Sequence, residues 1–402
     1  MTVLATAAAP SASCRDLSWA VARERAHAAS APLPARQVSL ARAAGLTLAE
    51  VLRTPQPMPG FDTAAMDGYA AGPGAGPCRV RGVLRAGGAW TGGPLDAGEA
   101  VEISTGAPVP AGARVVIPLE EADRCGTLVW GPSLADGKHI RRAGEDAPAG
   151  SPLAPAGARI GPALLGLAAA SGHDALPIRP RPRVRILVTG DELTHAGRPA
   201  PGQVRDALGP LLPPLVQALG GETTDVHHVP DRPTGSLATA VRTLPYYDAD
   251  VTVVTGSTSV GATDQLRKLL ADADARWVVD AVACRPGHPQ LLAQLPDGHR
   301  VVGLPGNPYA ASVAAHTLLA PLLAGLTGRP LPALPRIPLT GDIRTAPGRT
   351  RLIPVTWDGA TAHPIGGHGP AFLQGAALAD ALAAVSPDWQ PGQPAPLLLL
   401  TG

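Results

Sequence analysis

Thr189-Gly190-Asp191-Glu192, Gly256-Ser257-Thr258-Ser259-Val260-Gly261 and Leu304-Pro305-Gly306-Asn307-Pro308 are the three stretches whose reading decides the fold. Each follows a short apolar run of strand type, at residues 184–188, 251–254 and 300–303. Helical patterns follow two of them, over 264–273 and 309–326, and an irregular Pro/Gly link leads from the first loop to a helix over 211–219. Strands alternating with helices, with glycine where strand gives way to helix, predict a parallel α/β sheet. Ligands of such sheets sit at the carboxyl ends of the strands, where backbone N–H groups and helix N-termini hold anions. One glycine loop alone would be a plain turn. Three that close successive strands predict a site for a phosphate-bearing ligand.

Working outward, 402 residues exceed one ordinary core, so roughly two to four domains are expected. Apolar content is 45% but aromatic content only 3%, so alanine, leucine and valine must build the cores. The chain holds Gly 47 and Pro 46 without a repeat, which implies many turns and small β-rich units. A net charge of +1 gives no field that would draw nucleic acid or a membrane surface. The cysteines Cys14, Cys78, Cys125 and Cys284 lie far apart and fit neither a zinc nor a CxxC spacing, so reduced thiols in a cytoplasmic protein are expected. The Ala/Ser-rich start lacks the basic segment and apolar core of a secretory signal. Uncharged runs are read as shorter than the roughly 18–20 residues of a membrane span, and a soluble protein is expected.

In chain order, residues 1–15 read as a disordered tail. A helix over 16–29 presents Leu17, Ala20, Val21 and Ala28 on one side, and a second over 38–52 is stopped by Pro55, Pro57 and Pro59. Short strand-like runs at 78–84, 99–103, 113–118 and 127–130 make a small β unit; extended structure resumes at 146–160 and a helix at 162–170. Beyond 330 come short strands at 337–339, 350–357, 361–364 and 396–400, interrupted by a helix-like stretch at 376–385. The expected fold is multidomain, α/β plus β. It has a discontinuous helical and extended linker domain (16–53 and 143–180), an inserted small β domain (54–142), a central parallel α/β domain (181–330) and a C-terminal β barrel-like domain (331–402).

Several motifs carry chemistry. Residues 61–70 hold two carboxylates, Asp62 and Asp67; the plainer reading is an Asp cap followed by a turn. Arg141, Arg142, Glu145 and Asp146 set two cations beside two anions, which is also how a surface ion-pair cluster looks. Asp191 and Glu192 stand at a strand end, where their repulsion costs energy unless a cation relieves it. Asp206 and Asp264 are candidates for the same rim, and hard oxygen donors without a Cys/His set suit Mg²⁺ rather than zinc. Arg285 and His288 in Arg285-Pro286-Gly287-His288-Pro289 offer cationic donors to an oxyanion; the alternative is a hairpin turn.

These segments, in this order, resemble the molybdopterin molybdenumtransferase family, of the MoeA and gephyrin E-domain type. The match runs from about Leu33 to Gly402. It is carried by Met66-Asp67-Gly68-Tyr69-Ala70, Thr105-Gly106-Ala107-Pro108-Val109-Pro110, Arg142-Ala143-Gly144-Glu145-Asp146, Thr189-Gly190-Asp191-Glu192-Leu193, Ser259-Val260-Gly261 and Leu304-Pro305-Gly306-Asn307-Pro308. The resemblance implies an elongated homodimer with a MogA-like molybdopterin-binding domain and a cleft shared between subunits. It implies the reaction in which molybdate enters the dithiolene of adenylylated molybdopterin and AMP leaves, with Mg²⁺ assisting, and possible contact with the adenylylating enzyme. Asp67 and Thr105 would face the cleft from the partner subunit, and Asp146, Glu192 and Asp264 would supply acids, Glu192 and Asp264 holding the metal. Gly256, Ser259 and Gly261 would hold the pterin phosphate or nucleotide, and Pro305 to Pro308 would shape the wall near molybdate.

The departures fall mostly where oxyanion and pterin would bind. The family's Lys-Pro-Gly-Lys-Pro stands as Arg285 to Pro289. A commonly found serine is Ala310, the usual Asp-Ser-Asn reads Asp206-Ala207-Leu208, the loop's Gly-Gly-Val-Ser reads Gly256 to Ser259 with Ala262 in place of an acid, and Gly-Ser-Gly appears as Gly367-His368-Gly369. The chain holds two lysines, Lys138 and Lys268, so arginine for lysine follows the composition, whereas histidine at 288 does not. The leading reading is an insertase with a modified pocket. Its alternatives are a paralogue that binds pterin or nucleotide with little insertion, and a non-catalytic dimeric scaffold.

Overall fold

The computed structural model describes residues 14–232, 235–243, 249–256, 258, 265–367 and 369–400. Its central unit comprises, in chain order, β1 Arg15–Ser18, α1 Trp19–Ala28, β2 Arg183–Thr189, α2 Leu208–Ala218, β3 Glu222–Val229, α3 Ser236–Thr243, β4 Val251–Thr255, α4 Gln265–Asp272, β5 Arg276–Arg285, β6 Leu291–Gln294, β7 Arg300–Leu304 and α5 Pro308–Leu326. The strands stand in the order β3-β2-β4-β7-β6-β5. β3, β2, β4 and β7 are parallel, and β6 runs antiparallel to both of its neighbours. β2 and β4 are buried along nearly their whole length, Arg185 and Thr252 included, because both faces of the sheet are covered. On one face Ile186, Val253 and Val302 pack with Leu212 of α2 and Leu318 of α5; on the other Leu187, Val254 and Val301 pack with Leu237 of α3 and Leu266 of α4.

The chain leaves β2 for β3 on one side and returns to β4 on the other. Growth of the sheet therefore reverses between β2 and β4, and a crevice opens at their carboxyl ends. α5 corrects the expectation that uncharged runs are too short for a membrane span: its 19 residues are long and apolar enough, and they are 94% buried within the protein. It is a core helix. Trp19 Nε1 donates to Thr317 Oγ1 at 3.1 Å and so fastens α1 across its middle.

Four further expectations are also corrected. Residues 38–52 form no long helix: Arg36–Ser39 and Thr47–Leu48 are strands on either side of Ala175–Arg179, and Leu52–Arg53 pairs with Pro152–Ala154. The apolar spacing allowed either structure, and a strand more than a hundred residues away selected the sheet. Cys14 is buried and Arg15 pairs with Asp280, so these two residues belong to the fold rather than to a tail. In α1 the buried face is Trp19, Ala22, Arg23 and Ala26, not the leucine and valine side. Residues 376–385 divide into a short helix, Gln374–Leu378, and a central strand, Ala381–Val385.

Between Leu52–Arg53 and Pro152–Ala154 the chain builds a six-stranded sheet, with Gly68–Ala71 held between Glu99–Ile103 and Val115–Pro118. A Cβ on Gly68 would stand 2.0 Å from the Ile117 carbonyl oxygen, so only glycine fits there. At the other end, Thr350–Trp357 pairs with Ala381–Val385 over a core that includes Ile353, Ala383 and Leu397. That strand also continues the central sheet, since Cys284 and Arg285 of β5 pair in register with Thr350 and Arg351. All four cysteines are free thiols.

Candidate functional site

The described beginnings of the three glycine loops meet at the crevice. Thr189 Oγ1 at the end of β2 donates to the Thr255 carbonyl at 2.8 Å, which ties β2 to β4. Gly256 follows with φ +73°, and a Cβ there would meet Thr189 Oγ1 at 2.7 Å. Both the dihedral and the clash require glycine. The Gly256 N–H donates to the Leu304 carbonyl at 3.0 Å, and a Cβ on Gly306 would lie 3.7 Å from Gly256 Cα. Thr189, Gly256 and Gly306 thus lie on one surface. Ser257, Ser259, Gly261 and Asp264 lie outside the described residues, as does His368.

Carboxylates gather beside it. Asp191 Oδ1 accepts from the Asp231 N–H at 2.9 Å, and Oδ2 from Arg232 Nε at 3.0 Å. Burial raises the Asp191 carboxyl, but the Arg232 guanidinium and the two backbone donors outweigh it and hold it below the ordinary value. Asp231 is pushed up, by burial first and then by the charges of Asp191 and Glu192. The Glu192 carboxylate folds back over Gly190, within 3.0 Å of where a Cβ would stand. Three acids thus crowd the end of β2 and β3, and sequence reading missed Asp231. Asp206, expected on an oxygen-only rim, instead stands between His195 and His228. The expectation that no histidine set accompanies these acids is corrected.

A cavity of about 490 Å³ opens where β5 meets the C-terminal sheet, lined by Arg285, Pro286, Arg344, Arg351, Gly369 and Pro370 among others. The register pairing of Arg285 with Arg351 brings these two side by side. Residues 285–290 make the turn between β5 and β6, so the turn reading describes the backbone while the Arg285 side chain lines the cavity. His288 does not line it: its Nε2 lies 2.7 Å from Asp16 Oδ1. Asn307 opens α5 without a side-chain cap, and the Ala310 N–H donates to the Pro370 carbonyl at 3.1 Å, closing the C-terminal loop over the helix start. Arg344 and Arg351 were not singled out in the sequence, although both lie in an Arg-rich run close to 350.

A second group stands on the six-stranded sheet. Asp67 Oδ1 accepts from the Thr105 N–H at 2.7 Å and from Thr105 Oγ1 at 2.9 Å. These bonds, the backbone one foremost, hold the Asp67 carboxyl below its ordinary value. Asp146 pairs with Arg141, and Asp62 with Arg142 and the Ala143 N–H. No hydrogen bond or ion pair among the described residues joins Asp67, Thr105 or Asp146 to the crevice.

Residues 17–172 match the family model for the MoeA N-terminal region (domain I and II), residues 185–325 that of a probable molybdopterin binding domain, and residues 336–400 that of the MoeA C-terminal region (domain IV). The molybdopterin molybdenumtransferase of Synechococcus elongatus is 33% identical over 360 residues, or 84% of this chain and 88% of that protein. The chain belongs to the molybdopterin molybdenumtransferase family. Molybdopterin molybdenumtransferase 2 of Mycobacterium tuberculosis is 35% identical over 318 residues, covering 74% of this chain and 76% of that one. A solved molybdopterin biosynthesis MoeA protein from Pyrococcus horikosii superposes with a TM-score of 0.78 at 25% identity, over 96% of this chain and all of that one.

Within the molybdopterin molybdenumtransferase frame, this chain's departures acquire places. Arg285 and Ala310 stand at or beside the arginine cavity, Ala310 through its bond to Pro370. Asp206-Ala207-Leu208 leads into α2, where Asp206 Oδ1 accepts from the Leu208 and Gly209 N–H groups at 2.9 and 3.0 Å. The aspartate therefore caps a helix whose next two residues carry no polar side chain.

Proposed function

We propose that the protein inserts molybdate into adenylylated molybdopterin, releasing AMP and yielding molybdenum cofactor. The single observation that carries this reading is the pairing of an arginine-lined cavity with a glycine-walled crevice at the switch point of one continuous sheet. A dianion needs several fixed donors, and guanidinium groups supply them at any physiological pH. In this reading molybdate docks among Arg285, Arg344 and Arg351, while the loops at Thr189, Gly190, Gly256 and Gly306 hold the pterin phosphate or the nucleotide through backbone N–H groups. Asp191 is committed to Arg232. Glu192 and Asp231, with Asp264, are the oxygen donors left for Mg²⁺, whose charge would offset that of the phosphates. The raised Asp231 fits this assignment, since crowded carboxylates favour a bound hard cation.

Asp67 and Thr105 are assigned to the same cleft from the second subunit of a homodimer, with Asp146 at its margin. What supports this is that no hydrogen bond or ion pair among the described residues joins them to the crevice within one chain, together with the exposure of the Asp67–Thr105 pair. The protein tests this reading by complementation of a cell that lacks its own molybdenum insertase. Restored activity of a molybdenum enzyme is expected. A stably expressed protein that restores none, even at high molybdate, would instead favour the paralogue that binds without inserting.

A further inference from the structure

Apart from the acids and arginines, three side chains from separate elements meet at one point. His195 follows the short strand Leu193–Thr194, Asp206 follows its partner Val204–Arg205, and His228 lies in β3. His195 Nδ1 stands 3.8 Å from Asp206 Oδ2, His228 Nε2 stands 3.9 Å from the same oxygen, and the three ligand atoms all lie within 4.8 Å of one another. The two imidazole centroids lie 3.6 Å apart, with the rings inclined at 46° to each other. Neither ring makes a hydrogen bond to another described residue.

Asp206 is the telling member. Its side chain is 6% exposed, and Oδ1 is spent on the Leu208 and Gly209 N–H groups. Oδ2 accepts no hydrogen bond from any described residue and is aimed at the two rings. A Cβ on Gly209 would lie 2.3 Å from this oxygen, so glycine there keeps its approach clear. A largely buried carboxylate whose second oxygen has no protein donor is satisfied by water or by a cation.

We propose that His195, Asp206 and His228 form a binding site for a divalent transition metal of the Zn²⁺ class. Two borderline imidazole nitrogens beside one hard carboxylate select such ions over Mg²⁺, which prefers an all-oxygen set. Zinc with ligands at about 2.0–2.2 Å places them ~3.4 Å apart in a tetrahedron. The present spacings therefore close by a few tenths of an ångström to somewhat over one, within the reach of rotation of two half-exposed rings. The open side of the site leaves room for a water or an exogenous ligand. Bound there, the ion clamps the stretch after β2 against β3, and its ligands are none of the residues assigned to Mg²⁺ above.

The test needs no pterin substrate, so its result is independent of insertion activity. The purified full chain is titrated with Zn²⁺ in millimolar Mg²⁺ by calorimetry, and with Co²⁺ by visible absorption. One ion per chain is expected, with a Co²⁺ spectrum of nitrogen and oxygen ligation and a Zn²⁺-dependent rise in Tm. His195→Ala and His228→Ala should each weaken Zn²⁺ by at least about tenfold, since loss of even an outer-shell partner costs roughly 10- to 100-fold. Asp206→Asn should do the same; because Asp206 also caps α2, the decision rests on the two partly exposed histidines. A wild type that binds no Zn²⁺ would overturn the proposal. So would histidine variants that bind it as the wild type does.

Discussion

Replacing Arg351 by glutamine removes one of three guanidinium groups from the cavity while keeping a side chain of similar length. Arg351 pairs with Arg285 in the sheet register, so its backbone is fixed by the ladder and the substitution leaves the fold in place. A hydrogen bond to a charged group contributes about 1.5–3 kcal/mol net. Loss of one such donor from a molybdate dianion therefore weakens binding by roughly 10- to 100-fold, at 1.4 kcal/mol for each factor of ten. Because arginine does not titrate near neutrality, the affinity should be nearly flat between about pH 6.5 and 8. His288 is engaged by Asp16, so His288→Gln should change molybdate affinity less than threefold. Calorimetric titration with molybdate, with sulfate as competitor, gives these numbers. Arg351→Gln binding like the wild type, or an affinity that climbs steeply as pH falls, would refute the arginine cavity as the oxyanion site.

Gly256→Ala should cost about 1–3 kcal/mol, because a Cβ meets Thr189 Oγ1 at a left-handed backbone position; chemical denaturation measures it, and an unchanged midpoint would contradict the loop geometry. Burial lowers His299 and His316 to about 4 each, from 6.5. The unfolded chain then binds more protons between those values, so stability is full above pH 6.5 and falls toward pH 4, by up to ~3 kcal/mol per histidine. Thermal scans of the wild type, His299→Gln and His316→Gln should show a shallower acid loss in each variant than in the wild type; equal slopes would contradict this. Asp67→Asn and Glu192→Gln should each be inactive yet folded. Mixed and re-equilibrated as dimers, they should regain about a quarter of wild-type turnover, because half of the dimers carry one intact cleft of two. No recovery would contradict a cleft shared between subunits.

What was legible in the sequence was whatever required local chemistry. The strands ending at Thr189, Thr255 and Leu304 are buried on both faces and so read as largely apolar runs, with the buried Arg185 inside the first, and Gly256 in the turn after the second needs glycine for steric reasons. Contacts assembled from distant elements were not legible. His195, Asp206 and His228 have no characteristic spacing, and Asp231 reaches Asp191 only because β3 lies beside β2. Arg351 gains meaning only when its strand pairs with β5. In α1 alanine fills both faces, and burial is decided by Trp19 and Arg23, which dock on α5 through Thr317 and the His316 carbonyl. Residues 38–52 and 376–385 fit helix and strand equally by pattern, and distant partner strands chose between them.

The central claim is tested most directly by single-turnover insertion with the purified protein, adenylylated molybdopterin, molybdate and Mg²⁺. AMP release is followed by chromatography, and cofactor is scored by activation of an apo-molybdenum enzyme. The account predicts AMP and active cofactor in equal amounts, both dependent on molybdate and both strongly reduced by Arg351→Gln and Glu192→Gln. Nucleotide bound but never cleaved, or AMP released at the same rate without molybdate and with no active cofactor formed, would contradict it.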